Sequence, residues 1–443
     1  MFYLEEWIHQ IVRNVLGTGR VTRADLNRYR LLCLRQAVQY AFERSSFYRE
    51  RFKEAGIDPE KIRSLEDLSE IPLTEPRHLA ESPYRFLCIS QAEVARPHSF
   101  VTSGTTGPQK KVFWSHGDLA RIVEFMAAGI ATVAGPEDVV QIMLADGRPY
   151  SQADLLYRGV NKIGATPVLS GVGLSPEEQL REIENSHSTV LFGYTNRLFR
   201  MSKELQRQRD LRAAGVKVLF LAGEYLPDAM RRQLEDIWNC RTRTHYGLTE
   251  MGLGVAVECE AGRGYHFNEA GLLLEIVNPR TGETVPAGEE GELVFTTLTR
   301  EAMPLIRYRT HDISRLMTDP CPCGAATLSR IDNIRKRLES VVILDGGDEI
   351  YSSLFDDVLF EVSGLIDYQA ALTKHEGKDR LEFRVEMPDS GKALQEIYRK
   401  LHSLPVIAKN ITAGRMADPK VLRTDKGELQ SVGREKKLIV DSR

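Results

Sequence analysis

The chain has 443 residues, of which 42% are hydrophobic and 27% are charged, so it holds enough apolar material for about two to four domains. It has 59 lysines and arginines and 62 aspartates and glutamates, which gives a net charge of −3. The chain therefore lacks the excess of basic residues that is typical of nucleic-acid-binding proteins. Six cysteines are too few for a disulfide scaffold, and the longest apolar stretch is too short to span a bilayer. These features predict a globular, cytoplasmic protein that binds neither nucleic acid nor membrane.

The spacing of apolar residues changes along the chain. Residues 1 to about 90 place apolar side chains at helical intervals. From Val139 onward, short β-rich runs recur roughly every 25 residues with amphipathic segments between them, which is typical of the βα repeat of a parallel sheet. Residues 265 to 317 have an all-β pattern. The sequence therefore predicts an α/β fold with a parallel sheet and a β-rich subdomain.

A second change, after Arg330, divides the chain into two unequal domains. The charged stretch that follows Arg330 is predicted to be a linker, and an α+β pattern of about 105 residues follows it. We expect a large N-terminal domain over residues 1–336 and a small, mobile C-terminal domain over residues 337–443, with a hinge near Glu339.

A polar, glycine-rich segment, TSGTTGPQKK, covers residues 102–111. Glycines allow the backbone to approach a phosphate closely, while hydroxyls and backbone N–H groups supply donors. The residue order is not that of a Walker A loop. By itself the run is equally compatible with a flexible polar turn, and the two lysines at its end favour a phosphate site.

Two further polar segments directly follow predicted strands: LAGEYLP at residues 221–227 and HYGLTE at residues 245–250. Ligands of open parallel sheets bind beyond the carboxyl ends of the strands. In such a cleft Tyr246 could stack on a base, Thr249 could bond a phosphate and Glu250 could hold Mg²⁺. Each segment alone is more typical of an ordinary loop, and it is their joint placement that predicts a site.

The fourth segment, LIRYRTHDIS at residues 305–314, places Asp312 close to Arg307 and Arg309. A carboxylate at this position could accept hydrogen bonds from both hydroxyls of a ribose. An ordinary ion-paired strand end is an equally good interpretation of this segment alone.

Taken in this order, the four segments resemble the adenylate-forming superfamily of acyl-CoA synthetases. TSGTTG is similar to its phosphate loop, HYGLTE to its aromatic-Gly-x-Thr-Glu motif and RYRTHD to its Arg-Thr-Gly-Asp region. SSFYRERF near the start, and FTTLTREAMPLIRYRT followed by CPCG, are similar to the phenylacetate–CoA ligase branch. The resemblance covers nearly the whole chain. It implies that a carboxylate attacks the α-phosphate of ATP, pyrophosphate leaves, and a thiol then attacks the acyl adenylate.

The resemblance also implies roles for individual residues. Glu250 would hold Mg²⁺, Thr249 would contact the α-phosphate and Asp312 would bind the ribose hydroxyls. The phosphates of ATP would be held by Ser103, Thr105, Thr106 and Lys110, in a loop that includes Gly104 and Gly107. The adenine pocket would be lined by Gly223, Glu224 and Tyr246, and Gly247 and Arg337 complete the implied nucleotide-binding set.

The chain departs from the superfamily at the lysine of the small domain. That lysine lies in a pattern like Pro-Arg-Thr-x-x-Gly-Lys and reaches the α-phosphate, whereas Glu428 stands in its slot here. Loss of one such donor can cost ~10²–10³ in rate. Lys426, Arg434 or Lys436 could supply the charge instead. The implied catalytic residues are therefore Thr249, Glu250, Lys426 and Arg434.

Two more departures lie at the domain border and in the ribose motif. The branch usually has Gly-Arg-x-Asp-Asp at the hinge, where this chain has Lys-Arg-Leu-Glu-Ser with Glu339 as the pivot. His311 replaces the glycine of the ribose motif. These changes put the formation of the acyl adenylate in question more than the binding of the nucleotide.

A possible zinc site involves a Cys-Pro-Cys-Gly segment. Its Cys-x-Cys spacing is unusual for zinc, where Cys-x₂-Cys dominates. Some members of the resembling branch, however, hold zinc with a Cys, a His and a CxCG pair. The implied ligands are Cys259, His266, Cys321 and Cys323; the alternative is a set of free, oxidation-prone thiols. The remaining cysteines, Cys33, Cys88 and Cys240, are expected in the core.

The sequence thus predicts an ATP-dependent, AMP-forming acid–CoA ligase for an aromatic or other hydrophobic acid, with ATP, Mg²⁺ and CoA as ligands and a structural Zn²⁺. Two alternatives stay open. One is an adenylating enzyme with an acceptor other than CoA. The other is a nucleotide-binding protein whose catalysis is impaired by Glu428. A homodimer is compatible with the sequence, which does not name the acid.

Overall fold

The computed structural model describes residues 3–100, 110–145, 147–387, 391–425, 427–429 and 439–443. The chain is a mixed α/β protein, which confirms the predicted class. The α-helices of these residues are α1 (Tyr3–Leu16), α2 (Arg23–Arg44), α3 (Ser46–Ala55), α4 (Pro76–Glu81), α5 (His116–Ile130), α6 (Gln152–Lys162), α7 (Pro176–Ser186), α8 (Thr195–Leu205), α9 (Asp228–Trp238), α10 (Ser352–Leu359), α11 (Gly391–Ser403) and α12 (Pro405–Thr412).

The strands of the described residues are β1 (Arg96–Phe100), β2 (Lys110–Trp114), β3 (Val139–Met143), β4 (Thr166–Leu169), β5 (Val190–Tyr194), β6 (Val218–Ala222), β7 (Arg241–Tyr246), β8 (Ala256–Glu258), β9 (Tyr265–Phe267), β10 (Leu272–Val277), β11 (Gly291–Thr297), β12 (Tyr308–Ser314), β13 (Leu316–Met317), β14 (Arg330–Ile331), β15 (Lys336–Arg337), β16 (Val342–Ile343), β17 (Glu349–Ile350), β18 (Asp367–His375), β19 (Lys378–Glu386), β20 (Lys420–Thr424) and β21 (Ile439–Asp441). The predicted strands that begin near residues 139, 166, 190, 216 and 241 are therefore confirmed.

Contacts group the chain into two compact units. One contains Met1–Val172 and Arg243–Ile334, and the other contains Gly173–Thr242 and Arg335–Arg443. The predicted domain border at residue 336 stays a prediction.

In the first unit, β3 and β4 pair in parallel around helix α6, as a βα repeat requires. Two antiparallel groups follow: β13, β14, β9, β8 and β7 in one, and β10, β11 and β12 in the other. Helix α5 begins with a capping box, in which Ser115 and Asp118 each bond the other's backbone N–H. Strands β2, β7 and β12 carry the residues of the candidate site.

The N-terminal helices of this unit are tied to the segment that follows the CPCG sequence. Oε1 of Glu5, on α1, accepts hydrogen bonds from the N–H and the hydroxyl of Thr327, both at 2.7 Å. Arg23, at the start of α2, donates to the Thr327 carbonyl at 2.9 Å and to buried Glu269 at 2.6 Å. Helices α1 and α2 are therefore held by polar contacts as well as by apolar packing.

In the second unit, β5 and β6 pair in parallel, and the C-terminal residues form a mixed sheet in the order β20, β19, β18, β21. Arg200 on α8 joins the two parts, because it donates to Glu386 at 2.6 Å and to Asp367 at 3.1 Å. Glu386 is buried, so removing Arg200 would leave an uncompensated charge at a cost of about 3–5 kcal/mol.

The predicted linker after Arg330 stays a prediction: the border between the two contact units falls inside it, between Ile334 and Arg335, although the segment is not without structure. This segment contains β14 and β15, and β14 pairs with both β13 and β9. Arg330 is buried and bonds Asp319 at 2.7 Å, so its charge is compensated inside the fold. The density of charges along this stretch does not reveal those partners, because they are distant in sequence. No helix of the described residues is both long and apolar enough to cross a bilayer.

Candidate active site and metal site

Three buried polar side chains meet where β2 begins, β7 has just ended and β12 begins. Nζ of Lys110 lies 3.2 Å from Oε1 of Glu250, and the hydroxyl of Tyr308 donates to the same oxygen at 2.8 Å. Lys110 also lies 3.3 Å from the Tyr308 hydroxyl. The side chains of Lys110 and Glu250 are only 9% and 6% exposed, so each ion is compensated mainly by the other.

Tyr308 is a site residue that the sequence analysis missed. It lies two and four positions before Thr310 and Asp312, and all three are buried in β12. Alternate residues of a strand share a face, so the presence of Asp312 in the site could have identified Tyr308 as well.

A second contact links the two predicted nucleotide motifs. The hydroxyl of Tyr246 donates to Oδ2 of Asp312 at 2.6 Å, and both residues are buried. The Thr310 hydroxyl accepts from the backbone N–H of Asp312 at 3.1 Å. The base-stacking and ribose-binding candidates therefore touch directly, although they are 66 positions apart.

The arginines near Asp312 bind other carboxylates. Arg307 donates to Glu275 at 3.0 Å, and Arg309 pairs with Glu292 at 2.5 Å and with Glu75 at 3.1 Å. An ion-paired strand end is therefore correct for the two arginines.

His311 keeps the backbone conformation of a glycine. Its φ is +61°, and its N–H donates to Glu292 at 2.9 Å next to an irregularity in the pairing of β11 and β12. Left-handed backbone is unfavourable for residues with a Cβ, so the site needs this conformation whichever residue occupies it.

The turn after β7 is shaped by close backbone approach. A Cβ on Gly247 would lie 2.0 Å from the carbonyl oxygen of Leu253, so no larger residue fits there. Thr249, half-buried, opens the short 3₁₀ turn that carries Glu250. The turn therefore fixes the direction from which Glu250 enters the site.

The remaining predicted residues fall in two groups. In the second unit, Gly223 lies just after β6 with a φ of +89°, Glu224 follows it, and Arg337 ends β15. Ser103, Gly104, Thr105, Thr106, Gly107, Lys426 and Arg434 lie outside the described residues.

Glu428, the residue in the lysine slot, pairs with Arg384 at 3.2 Å. Both side chains are about half exposed, at 48% and 49%. The preceding Gly427 donates its N–H to Glu386 at 3.0 Å, which anchors this short described segment to β19. The carboxylate at position 428 is thus matched by a cation of its own subdomain.

Four potential metal ligands converge in the first unit: Cys259, His266, Cys321 and Cys323. Their ligand atoms all lie within 4.8 Å of one another, with 3.4 Å between the sulfurs of Cys259 and Cys321 and 3.4 Å between Cys323 Sγ and His266 Nε2. Zn–S and Zn–N bonds in a tetrahedral site place ligand atoms about 3.5–3.8 Å apart. The donor set and spacing therefore fit Zn²⁺.

The surroundings of these ligands also suit a metal. Nδ1 of His266 lies 3.1 Å from the Ser329 carbonyl, which directs Nε2 toward the sulfurs. Burial lowers the pKa of His266, which favours the neutral imidazole that can act as a metal ligand. Nη1 of Arg330 lies 3.4 Å from Cys321 Sγ, where its charge would offset the negative charge of a three-thiolate site.

Comparison with known proteins gives a consistent result. A family model described as "AMP-binding enzyme" matches residues 98–298. The chain is 33% identical to phenylacetate–coenzyme A ligase of Thermus thermophilus over 362 residues, covering 80% of each chain. It is 30% identical to the enzyme of that name from Pseudomonas putida over 400 residues, covering 89% of each, and 31% identical to that of Escherichia coli over 367 residues, covering 82% of each.

Solved structures agree on the fold. A 2-hydroxyisobutyryl-CoA ligase in the postadenylation state, in complex with 2-HIB-AMP, matches with a TM-score of 0.83 at 21% identity, over 96% of this chain and 91% of that chain. An anthranilate CoA ligase in complex with anthranoyl-AMP matches with a TM-score of 0.55 at 16% identity, over 76% of this chain and 64% of that one. At these identities the matches establish the shared fold.

Proposed function

Because the chain belongs to the phenylacetate–coenzyme A ligase branch of the adenylate-forming, AMP-binding enzymes, we propose that it is an AMP-forming acid–CoA ligase for an aromatic or other hydrophobic acid. The acid carboxylate attacks the α-phosphate of ATP, the bond to pyrophosphate breaks, and the thiol of CoA then displaces AMP from the acyl adenylate. The observation that carries the proposal is the buried Lys110–Glu250 pair, with Tyr308 bonded to both.

The nucleoside side of the site is assigned to Tyr246 and Asp312. Their hydrogen bond uses Oδ2 of Asp312, and the carboxylate has further acceptor capacity for ribose hydroxyls. The bond also holds the Tyr246 ring in one orientation, which suits a stacking partner of adenine. The nucleotide-binding roles of Gly223, Glu224, Gly247 and Arg337 stay predictions of the sequence.

The phosphate side is assigned to Lys110, Thr249 and Glu250, together with Ser103, Gly104, Thr105, Thr106 and Gly107. Glu250 would hold Mg²⁺, a hard cation that prefers oxygen ligands and would neutralise the phosphates as two anions meet. Tyr308 and Lys110 fix the direction of the Glu250 carboxylate through their contacts with its Oε1. Lys110 is placed to give its charge to a phosphate once Glu250 has another cation beside it.

The cation of the small domain is assigned to Lys426 or Arg434. The Arg384–Glu428 pair supports this assignment, because Glu428 is compensated locally and need not face a phosphate. The same pair supports the second candidate function, a nucleotide-binding protein with impaired adenylation, since the usual lysine is replaced. A non-CoA acceptor, a homodimer and a cytoplasmic location stay predictions of the sequence.

We also propose that Cys259, His266, Cys321 and Cys323 hold a structural Zn²⁺. Three thiolates and one imidazole complete a tetrahedral, closed site, and such sites contribute directly to folding stability. Cys323 lies four positions before Thr327, the residue that Glu5 and Arg23 bond, so the metal would help to hold the segment to which helices α1 and α2 attach.

Formation of an acyl-CoA tests the proposed function. Purified protein is incubated with ATP, Mg²⁺, CoA and a panel of aromatic, aliphatic and hydroxy acids, and products are measured by mass spectrometry. We expect an acyl-CoA and equimolar AMP with at least one aromatic or hydrophobic acid. A rate of AMP release that does not depend on CoA would favour an acceptor other than CoA. Nucleotide binding without AMP release would favour a nucleotide-binding protein with impaired adenylation.

A further inference from the structure

Arg300 differs from the other arginines near the site in having no carboxylate partner among the described residues. Its guanidinium donates to the backbone carbonyl of Glu250 and stacks on the ring of Trp114, 4.3 Å from the centroid. By contrast, Arg121, Arg307 and Arg309 each pair with at least one carboxylate. Burial lowers the pKa of Arg300 to about 10, which leaves the group protonated at neutral pH. Arg300 is partly buried, and Asp118 and Glu250 attract its charge without forming an ion pair with it, so the guanidinium can still accept a carboxylate in direct contact.

A cavity of about 60 Å³ lies beside this guanidinium, between helix α5 and the turn that follows Glu250. Its wall is polar at Arg300, Asn268 and Thr299 and apolar at Ile122, Phe125 and Leu272. A water molecule occupies about 30 Å³ in the liquid, so the cavity has room for a molecule of a few heavy atoms.

The polar wall can serve an anion. Asn268 uses its Oδ1 to accept from the N–H of Gly271 at 3.0 Å, which leaves its amide N–H groups as donors. Asp118 also lines the cavity, but its oxygens accept from the N–H groups of Glu301 and Ala302 and pair with Arg121. Asp118 therefore forms its direct contacts with these groups and attracts Arg300 only from a greater distance, and Arg121 in the same wall already has two carboxylate partners, Asp118 and Glu301.

We propose that this cavity is a binding site for a small monocarboxylate of the size of acetate, with Arg300 as its counter-ion. The planar guanidinium fork matches the two oxygens of a carboxylate, which a spherical anion cannot use equally well. The apolar half of the wall accommodates the short carbon end of the same molecule. The site is separate from the proposed Mg²⁺ ligand Glu250, which Arg300 contacts only through its backbone carbonyl.

The test is thermal unfolding of the intact protein in increasing sodium acetate, compared with sodium gluconate at equal ionic strength. Gluconate carries the same charge but is larger and polyhydroxylated, so it lacks the short apolar end that the wall at Ile122, Phe125 and Leu272 would accept. We expect a saturable rise in Tm with acetate and none with gluconate. Equal shifts with both anions would overturn the proposal, because they would reflect a general salt effect.

Three variants locate the effect. Arg300→Met removes the counter-ion, and Thr299→Leu fills the cavity while leaving Arg300 in place. Arg315→Met is the control, because it removes one positive charge that pairs with Asp332 at the surface. Acetate binding should weaken by roughly tenfold or more in the first two variants and stay unchanged in the control. Retention of the acetate effect in either Arg300→Met or Thr299→Leu would place the bound acetate elsewhere, for instance at the reacting acid's position, and contradict the proposal.

Discussion

The hydroxyl of Tyr308 donates to Oε1 of Glu250 at 2.8 Å, so the first residue of β12 holds the carboxylate that follows β7. Lys110 lies 3.2 Å from the same oxygen. This contact joins two of the four sequence motifs, and the bond between Tyr246 and Asp312 joins the same two motifs a second time. The strands around the site are thus tied together by the side chains that we assign to catalysis.

Removal of the Tyr308 hydroxyl tests its positioning role. In Tyr308→Phe, Glu250 loses one of its two donors, so we expect the Mg²⁺·ATP concentration for half-maximal rate to rise roughly tenfold. Tyr29→Phe is the matched control, since it deletes another buried hydroxyl, which donates to the Ala270 carbonyl at 3.0 Å. An equal change in Mg²⁺·ATP dependence in both variants would mean that Tyr308 is only structural.

A double-mutant cycle measures the pairing of Lys110 with Glu250. Lys110→Met and Glu250→Gln each leave the other group without its partner, so each should lower the free energy of unfolding by about 3 kcal/mol. The double variant should lose at least about 1 kcal/mol less than the sum, because no unpaired ion remains. Urea unfolding gives the stabilities, and adenylation should be strongly reduced in all three variants. Additive losses of stability would show that the two groups do not compensate each other.

The identity of the small-domain cation is tested by three substitutions. Lys426→Met or Arg434→Met should lower the adenylation rate ~10²-fold, according to which side chain reaches the α-phosphate. Glu428→Gln should change stability by less than about 0.5 kcal/mol, since its pair with Arg384 is half exposed. If neither cation variant is slower, the charge does not come from these two positions. A large gain in the adenylation rate of Glu428→Lys would then support the second candidate function, a nucleotide-binding protein with impaired adenylation.

The zinc proposal predicts a specific loss of metal. Cys323→Ser should contain much less zinc than the wild type by elemental analysis, whereas Cys240→Ser, outside the cluster, should retain it. Hydrogen exchange should accelerate in helices α1 and α2 of Cys323→Ser, because the segment bonded by Glu5 and Arg23 loses its support. Equal zinc content in the wild type and Cys323→Ser would contradict the zinc proposal.

The left-handed backbone at His311 gives a prediction about stability. His311→Gly relieves a conformation that costs ~1–2 kcal/mol for a residue with a Cβ, while the more flexible unfolded chain offsets part of that gain. We therefore expect His311→Gly to be neutral or up to about 1 kcal/mol more stable, and His311→Val to be clearly less stable. Chemical unfolding measures both variants. Destabilisation of His311→Gly comparable to that of the valine variant would show that the imidazole has a role of its own.

The sequence predicts strands well where apolar runs repeat. The runs that begin near Val139 and Val190 become β3 and β5, because each is buried on a sheet whatever its distant partners are. At the segment after Arg330, charge density indicates a linker but does not reveal the short strands β14 and β15 that the segment contains. Burial of Arg330 there depends on Asp319 and on the neighbouring strands, and these tertiary contacts override local pattern.

For the candidate site, the sequence identifies the residue types and misses the pairings. Glu250 and Asp312 are predicted from motifs, whereas their partners Tyr308 and Tyr246 come from elements 58 and 66 positions away. Such pairings are determined by which strands become neighbours, and no local spacing encodes that. Arg300 was missed for a different reason: its significance is its position in a cavity wall without an ion pair among the described residues, which only the fold reveals.

The central claim is that this site joins a carboxylic acid to the α-phosphate of ATP. Acid-dependent exchange of labelled pyrophosphate into ATP measures that step directly and needs no CoA. We predict exchange with at least one aromatic or hydrophobic acid, and a loss of ~10²-fold or more in Glu250→Gln at unchanged folding, judged by circular dichroism. Absence of exchange with every acid, in a protein that binds ATP, would contradict the account.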